Sequence, residues 1–300
     1  MKKQINLRMF VLLILTGFTL TNCSKTTTDP APIFDPVLVK LANSATLGSY
    51  LTDKDGNALY FYSNDANGEN NCTSAQCISA WPIFNIAGLT AAQLGTGLTF
   101  GDFNAISTPN GNQLTYKGWP LYYYAPGGVR EAPNLTTGDA IGNVWYVAKP
   151  DYSIMLANAQ LVGKDGKNYI VSTTTNVYTE GVGKTLYFTD PMGRTLYEFA
   201  HDSLNINKYT TTDAVHNAVW PIYETDKMIV PSFLDKSLFN TTTKYSKTQL
   251  TYKGWPMYYY GPDVNTTTGK YRGSNMGISV PLPGVLWPAF LKDIPAAPHK

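Results

Sequence analysis

Apolar and polar residues alternate along this chain only in short stretches, and turn residues bound those stretches. The stretches are rich in Tyr, Phe, Thr, Val and Ile, which favour strands, and the chain after residue 22 sustains no long helical apolar period. Asp53-Lys54-Asp55-Gly56 and Asp190-Pro191-Met192-Gly193 carry Asp first and Gly fourth, as type I turns do. Pro109-Asn110-Gly111-Asn112 contains the Asn-Gly pair of a tight hairpin. The pattern predicts an all-β protein.

The chain also contains an internal repeat. Three pairs of stretches match: QLTYKGWPLYYYAP at 113–126 with QLTYKGWPMYYYGP at 249–262, LTDKDGNALYFYSND at 51–65 with FTDPMGRTLYEFAHD at 188–202, and AWPIF at 80–84 with VWPIY at 219–223. Such self-similarity indicates a repeat architecture. We therefore expect two tandem, pseudo-equivalent β-repeat domains, residues 38–150 and 151–300, packed side by side. A propeller-like arrangement of four half-repeat sheets is the alternative, because each repeat has an early and a late half.

The four half-repeats share one short motif. It reads YFYSND at 60–65, YYYAPG at 122–127, YEFAHD at 197–202 and YYYGPD at 258–263. With these copies the chain resembles a bacterial family of secreted lipoproteins that has a repeated Tyr-x-aromatic-x-x-Asp motif and no known function. The motif residues are Tyr60, Tyr62, Asp65, Tyr122, Tyr124, Tyr197, Phe199, Asp202, Tyr258, Tyr260 and Asp263. Gly127 stands where the second copy should have Asp. The resemblance implies a fold and a location but no chemistry.

Side chains alternate between the two faces of a strand, so the first and third motif residues share one face, which we expect to be buried. The residue between them is Phe61, Tyr123, Glu198 or Tyr259. Because a buried glutamate would lose its hydration, this second face is expected to meet water, with Tyr123 and Tyr259 partly accessible as a candidate binding surface. The alternative is that they pack beneath neighbouring loops.

The motif aspartates have two interpretations. An Asp directly after a strand commonly accepts hydrogen bonds from nearby backbone amides in an Asx-turn. A recurring carboxylate could instead carry acid–base chemistry. The turn interpretation is favoured.

The first residues predict export and lipidation. Lys2, Lys3 and Arg8 precede the apolar run MFVLLILTGFTL, which is too short to span a bilayer, and LTNC follows. The last four residues resemble a bacterial lipobox with Cys23 as the acylated residue, although Asn22 departs from the usual small residue. We expect a signal peptide at 1–22 and a flexible tether at 23–37. Ser24 after the cysteine favours the outer membrane, facing the periplasm or the exterior.

Charge and cysteine content exclude some classes of function. Removing residues 1–22 takes away three of the 23 Lys and Arg residues, which leaves 20 against 21 Asp and Glu, a net charge of −1. A chain without a basic excess offers no footprint for nucleic acid. In an oxidising compartment, Cys72 and Cys77 are expected to form a disulfide rather than a metal site. No metal or other cofactor is expected.

The sequence contains no nucleophile elbow, phosphate-binding loop or metal-binding histidine pair. We therefore expect a membrane-anchored, non-enzymatic binding or structural module, with an envelope protein or a glycan as its partner. One alternative is a protein that binds or processes glycans through its tyrosines. Another is an accessory of surface electron transfer that uses the Cys72–Cys77 pair.

Overall fold

A computed structural model of the chain describes residues 36–172, 174–264 and 271–299. Most of its regular structure is strand. The strands of the first repeat are β1 (Val39–Ser44), β2 (Gly48–Asp53), β3 (Tyr60–Tyr62), β4 (Phe103–Thr108), β5 (Gly111–Tyr116), β6 (Trp119–Pro120) and β7 (Trp145–Val147). Those of the second repeat are β8 (Met155–Ala159), β9 (Leu161–Val162), β10 (Asn168–Val171), β11 (Tyr178–Glu180), β12 (Thr185–Thr189), β13 (Phe239–Lys244), β14 (Lys247–Tyr252) and β15 (Trp255–Pro256). The α-helices are short: α1 (Ala75–Ala80), α2 (Ala214–Val219) and α3 (Gly261–Val264).

The strands form small antiparallel sheets, which confirms the predicted all-β class. Their strand orders are β1-β2, β3-β7, β4-β5-β6, β8-β12, β9-β10-β11 and β13-β14-β15. Within the described ranges no sheet closes on itself. Two-stranded units of this kind are marginal alone, so their stability depends on packing against each other.

Corresponding hairpins of the two repeats have the same register. Phe103 pairs with Tyr116 across β4 and β5, and Phe239 pairs with Tyr252 across β13 and β14. The second repeat differs by the inserted β9-β10-β11 sheet, which lies between β8 and β12 where the first repeat has only a short turn between β1 and β2.

The repeated QLTYKGWP stretch supplies a buried glutamine in each repeat. Gln113 Nε2 donates to Leu121 O at 2.9 Å, and Gln249 Nε2 donates to Met257 O at 2.7 Å. Both glutamines are completely buried. Because a buried amide needs its hydrogen bonds, each glutamine ties β5 or β14 to the strand segment that carries the next motif.

The same stretch also supplies a tight turn. Lys117 and Gly118 have φ of 50° and 78°, and Lys253 and Gly254 have φ of 50° and 84°. Left-handed backbone at two consecutive residues matches the twist of a two-residue hairpin, and glycine reaches it without strain. The turn therefore places the tryptophan that follows it at the start of β6 or β15.

Aromatic side chains form most of the core. The largest fully buried ones are Trp119, Tyr60, Tyr116, Tyr122, Tyr187, Tyr197, Tyr252, Tyr258, Phe84, Phe188 and Phe290. One apolar cluster contains residues of both repeats, and a second lies in the first repeat around Tyr60, Trp81 and Trp145. Burial of each such side chain contributes about 1.5–3 kcal/mol.

A half-buried arginine joins the two repeats. Arg272 Nη1 donates to Lys117 O at 2.8 Å and to Met192 O at 2.7 Å, and its guanidinium lies 5.0 Å from the centre of the Trp119 ring. Trp119 Nε1 donates to Pro191 O, also across the repeats. Burial lowers the pKa of Arg272 to about 10. These contacts agree with the finding that the chain from residue 35 onward is one compact unit.

None of the helices in the described ranges has the length and apolar character needed to span a bilayer. The predicted signal peptide, Cys23 and the predicted tether up to residue 35 lie outside the described residues.

Candidate functional site

The motif residues form crossed tyrosine–carboxylate pairs. Tyr122 Oη donates to Asp65 Oδ2 at 2.6 Å, and Tyr258 Oη donates to Asp202 Oδ2 at 2.7 Å. In each pair the tyrosine belongs to the late half-repeat and the carboxylate to the early half-repeat. The motif therefore holds the two halves of a repeat together.

The reverse pairs exist as well. Tyr60 Oη donates to Glu131, and Tyr197 Oη donates to Asp263. Glu131 thus takes the role of the Asp that Gly127 replaces in the second motif copy. The sequence contained a signal for this, because a glutamate lies four residues after the position of the missing Asp. The side chain of glutamate is longer than that of aspartate, so it can reach the tyrosine from this later position.

Backbone hydrogen bonds align the halves. Tyr60 and Tyr122 exchange N–H···O bonds of 2.9 and 3.1 Å, and Tyr197 and Tyr258 exchange two of 2.9 Å. This antiparallel exchange relates the half-repeats by an approximate two-fold axis, which explains why each half supplies both a tyrosine and a carboxylate.

Three of the four carboxylates also close a loop of one length, whereas Asp263 Oδ1 accepts from the more distant Met276 N at 3.1 Å. Asp65 Oδ1 accepts from Asn71 N at 2.8 Å, and Asp202 Oδ1 accepts from Lys208 N at 2.7 Å. Glu131 accepts likewise from Thr137 N at 2.9 Å. The acceptor lies six residues before the donor in all three, so the loop is wider than the expected Asx-turn, while the backbone-capping role is the one expected.

Burial changes the acidity of these groups. Asp65 and Asp202 are almost completely buried, which raises the pKa of Asp65 to about 7 and that of Asp202 to about 6. Burial, and the neighbouring carboxylate, also raise the pKa of Tyr122 and Tyr258. The phenols thus remain neutral donors, and both carboxylates are enclosed by their structural partners.

The third motif residues belong to stacks of aromatic rings. Trp81 stacks on Trp145 in the first repeat, with ring centres 3.8 Å apart, and Tyr62 stacks on the outer face of Trp145. Tyr124 packs against Trp81 at 4.5 Å. Tyr62 and Tyr124 are half-buried. The four rings form a column across the approximate two-fold axis.

The second repeat contains the equivalent column. Trp220 stacks on Trp287 at 3.8 Å, Phe199 on Trp287 at 4.4 Å, and Tyr260 packs against Trp220 at 4.5 Å. Stacked aromatic pairs contribute about 0.5–1.5 kcal/mol beyond their buried area. The columns thus explain the recurring aromatic residue at the third motif position.

The predicted binding surface is wrong. Tyr123 and Tyr259 are only 8% and 9% exposed, and their hydroxyls donate to Asp53 at 3.0 Å and Asp190 at 2.8 Å. Glu198, whose charge suggested a wet face, is also buried. The prediction failed because both strand faces are covered, so alternation does not separate buried from accessible positions.

Asp53 and Asp190 organise the turns that the sequence predicted. Asp53 Oδ1 accepts from Asp55 N and Asn57 N, both at 2.9 Å. Asp190 Oδ1 accepts from Met192 N at 2.9 Å. Burial raises the pKa of Asp53, but hydrogen bonds from Asn57 and Tyr123 outweigh it and hold that pKa below its ordinary value.

Glu198 is the unexpected group of the second repeat. It occupies the position of Phe61, and its Oε2 is buried without a hydrogen-bond partner among the described residues. Burial raises the pKa of Glu198 to about 8, with a smaller contribution from Asp202. Glu198 is therefore largely protonated at neutral pH.

The predicted disulfide between Cys72 and Cys77 is confirmed, with Cα atoms 5.5 Å apart. Cys77 lies in α1, and Ser74 Oγ caps that helix by accepting from Cys77 N. In the second repeat His216 has the corresponding place in α2, and its ring stacks on Tyr209 at 4.3 Å. In the described ranges no group of three or more His, Cys, Asp or Glu residues is arranged to hold a metal ion.

A cleft of about 490 Å³ lies where the two repeats meet. Its walls include Leu47, Lys149, Met228, Ile229, Leu234 and Lys236, and we call it the Lys149 cleft. Among the described residues no carboxylate lines it. No local sequence pattern indicates this cleft, because a turn of the first repeat and a loop of the second repeat form it together.

Lys149 is the most unusual group in the cleft. It is only 7% exposed, and burial lowers its pKa. Its Nζ makes no hydrogen bond or ion pair with a described residue and lies 5.2 Å from the centre of the Tyr152 ring. Lys236, by contrast, is exposed at the rim. The cleft thus combines apolar walls with two cations.

Comparisons with protein-family models, with curated proteins and with solved structures found no match to this chain.

Proposed function

We propose that this chain is a lipid-anchored protein of the bacterial cell envelope, held in the outer membrane through Cys23 and facing the periplasm or the exterior. The proposal is supported by the charged, apolar and LTNC segments at its start. The four motif copies support membership of the secreted lipoprotein family that it resembles.

We further propose that residues 38–150 and 151–300 are two pseudo-equivalent β-repeat domains packed side by side. Matched hairpin registers, crossed tyrosine–carboxylate pairs and equivalent aromatic columns support this arrangement. Arg272 and Trp119 then act as contacts between the domains.

The function that we infer is non-enzymatic binding in the Lys149 cleft. The observation that carries it is the contrast between the motif carboxylates, each bound by tyrosine and backbone, and Lys149, a largely buried side chain that lines an open cleft and whose Nζ has no hydrogen-bond or ion-pair partner among the described residues. A buried charge is costly unless it is paired, so a ligand that pairs with it gains affinity.

The two alternatives have less support. Glycan binding relied on Tyr123 and Tyr259 as accessible rings, and both are buried. Electron transfer relied on the disulfide, whose place in the second repeat is taken by the stack of Tyr209 and His216, so a structural role accounts for both.

The anchor is tested on protein purified from its native host. We expect a mature chain that begins at Cys23, carries acyl mass and partitions into detergent, and we expect Cys23→Ser to release it in soluble form. An unmodified thiol at Cys23, or cleavage elsewhere, would refute the anchor.

The binding role is tested by extracting small molecules from that purified protein and identifying them by mass spectrometry. Wild-type protein should carry a compound in near-stoichiometric amount, and Lys149→Leu should lose it. Lys184→Gln, a charge change outside the cleft, should retain it. Equal amounts in wild type and Lys149→Leu would place the binding elsewhere.

A further inference from the structure

Beyond a binding role, the Lys149 cleft indicates the chemical class of its ligand. We propose that it takes a single-chain amphiphile with an anionic headgroup, the headgroup facing Lys149 and Lys236 and the chain lying along Leu47, Met228 and Leu234. This inference rests on the proposed function.

The charges around the cleft favour an anion. Asp139 and Asp151 favour the charged form of Lys149, and Lys236 disfavours it more weakly. Asp139 is already occupied, because its Oδ1 accepts from Val147 N at 2.9 Å. Asp235, beside Lys236, accepts from Ser237 N and Oγ. An anion in the cleft would therefore meet Lys149 and Lys236, and none of the described residues that line the cleft is a carboxylate.

The walls favour an apolar chain of limited size. Met228, Ile229 and Leu47 are part-buried and pack against the core from the cleft side, so their remaining exposure faces the open volume. Clefts of about 300–1,000 Å³ accommodate one small organic ligand, and this one lies within that range. Two ligand sources share the inferred chemistry, a free acyl carboxylate and an alkyl phosphate.

The second repeat contains a natural contrast. Ala148 O accepts from Leu51 N in the first repeat, and Phe290 O accepts from Phe188 N in the second, so Lys149 corresponds to Leu291. Leu291 lines a cavity of about 280 Å³. Because leucine is buried at the equivalent position, Lys149→Leu is a substitution that this fold already accommodates.

The test is calorimetric titration of the full mature protein with four defined probes, decanoate, decyl phosphate, decanol and decyltrimethylammonium, and with inorganic phosphate as a control that lacks the alkyl chain. We expect decanoate or decyl phosphate to bind, and the tighter of the two identifies the source. Lys149→Leu should weaken that binding at least tenfold, Lys236→Gln about twofold to threefold, and Lys184→Gln not at all. Melting temperature, measured for each variant, shows whether the fold is retained.

Tighter binding of decanol or decyltrimethylammonium than of both anions would overturn the inferred charge, while a co-purified compound lost from Lys149→Leu would still support a binding cleft. Binding of inorganic phosphate with no gain from the alkyl chain would overturn the apolar part. Binding of none of the four probes would overturn the ligand class. If Lys149→Leu fails to fold, Lys236→Gln alone decides, and its unchanged affinity would contradict the proposal.

Discussion

The two repeats form equivalent contacts even where the residues that form them differ. Both contain crossed tyrosine–carboxylate pairs and a four-ring aromatic column. The first repeat uses Glu131 where its second motif copy lacks Asp, and a disulfide where the second repeat stacks His216 on Tyr209. The fold therefore requires each interaction at its place and accepts different residues to provide it.

Two differences do not fit this rule and so stand out. Glu198 replaces Phe61 without gaining a partner for its Oε2 among the described residues. Lys149 replaces a leucine, Leu291, and faces a cleft. Neither change improves packing. Glu198 should therefore reduce stability, whereas Lys149 marks the cleft that we propose as the binding site.

The largest effect is expected from Glu198, since its pKa is raised from 4.5 to about 8. The folded state then binds a proton that the unfolded state has lost, so the stabilising contribution is complete below pH 4.5 and is lost as pH rises through about 8. The shift corresponds to roughly 5 kcal/mol at most. Glu198→Gln should flatten this part of the pH profile of unfolding free energy.

Glu198→Phe, which introduces the residue that the first repeat has at Phe61, should flatten the same part of the pH profile of unfolding free energy. Glu224→Gln, at an exposed glutamate, should leave the profile unchanged. A profile in Glu198→Gln that is parallel to wild type from pH 5 to pH 8 would show that the carboxyl group is not buried as described.

The motif aspartates should give the next largest effect, and equal values in both repeats. Asp65→Ala or Asp202→Ala leaves a tyrosine hydroxyl and a backbone N–H unpaired, which should cost about 3 kcal/mol. Asp→Asn keeps an acceptor for the amide and should cost about 1 kcal/mol. Urea unfolding measures both.

Asp226→Ala, on the surface, serves as the control for the aspartate series. A cost below 1 kcal/mol for both alanine variants would mean that the pairs contribute little. If only one of the two alanine variants lost much unfolding free energy, the tyrosine–carboxylate pairs of the two repeats would not be equivalent.

The smallest effect should come from removing the interaction that holds each short helix, the disulfide of α1 or the stack of His216 on Tyr209 in α2. Closing the six-residue loop of Cys72 and Cys77 is worth about 2 kcal/mol in the chain-entropy model, so the double alanine variant should lose that amount. His216→Ala should lose about 1 kcal/mol, because a ring stack contributes less. Reductant should lower the stability of wild type and of His216→Ala equally, and should not change the double alanine variant.

Sequence reasoning reached the features that depend on neighbouring residues. The Asp-first turns at Asp53 and Asp190 and the Cys72–Cys77 bond depend on local spacing and compartment, and all are present. The repeat also matches β13 and β14 to the first-repeat strands β4 and β5, and the structure gives the two hairpins the same register. The hairpin between them, which lacks an Asn-Gly pair, turns through Tyr245 and Ser246, both with positive φ.

It failed where the answer depends on what covers a strand. Alternation in the YYY stretches placed Tyr123 outside, but a loop residue, Arg130, packs on its ring at 3.5 Å and Asp53 binds its hydroxyl. Pairing of Tyr122 with Asp65 joins residues 57 positions apart. The Lys149 cleft needs residues 46–48 and 228–236 together, and no local pattern records that approach.

What the chain repeats is a tyrosine–carboxylate contact, and the sequence position that supplies the carboxylate can differ between copies of the motif. A double-mutant cycle of unfolding free energy on Tyr60→Phe and Glu131→Gln tests it most directly, because Glu131 is outside the motif. We predict a coupling energy of about 1–2 kcal/mol between these two substitutions. The equivalent pair of the second repeat, Tyr258→Phe with Asp202→Asn, should give the same value. As a control, Tyr60→Phe with Asp202→Asn, whose residues do not pair, should be additive within about 0.5 kcal/mol. Additivity of Tyr60→Phe with Glu131→Gln would contradict the claim.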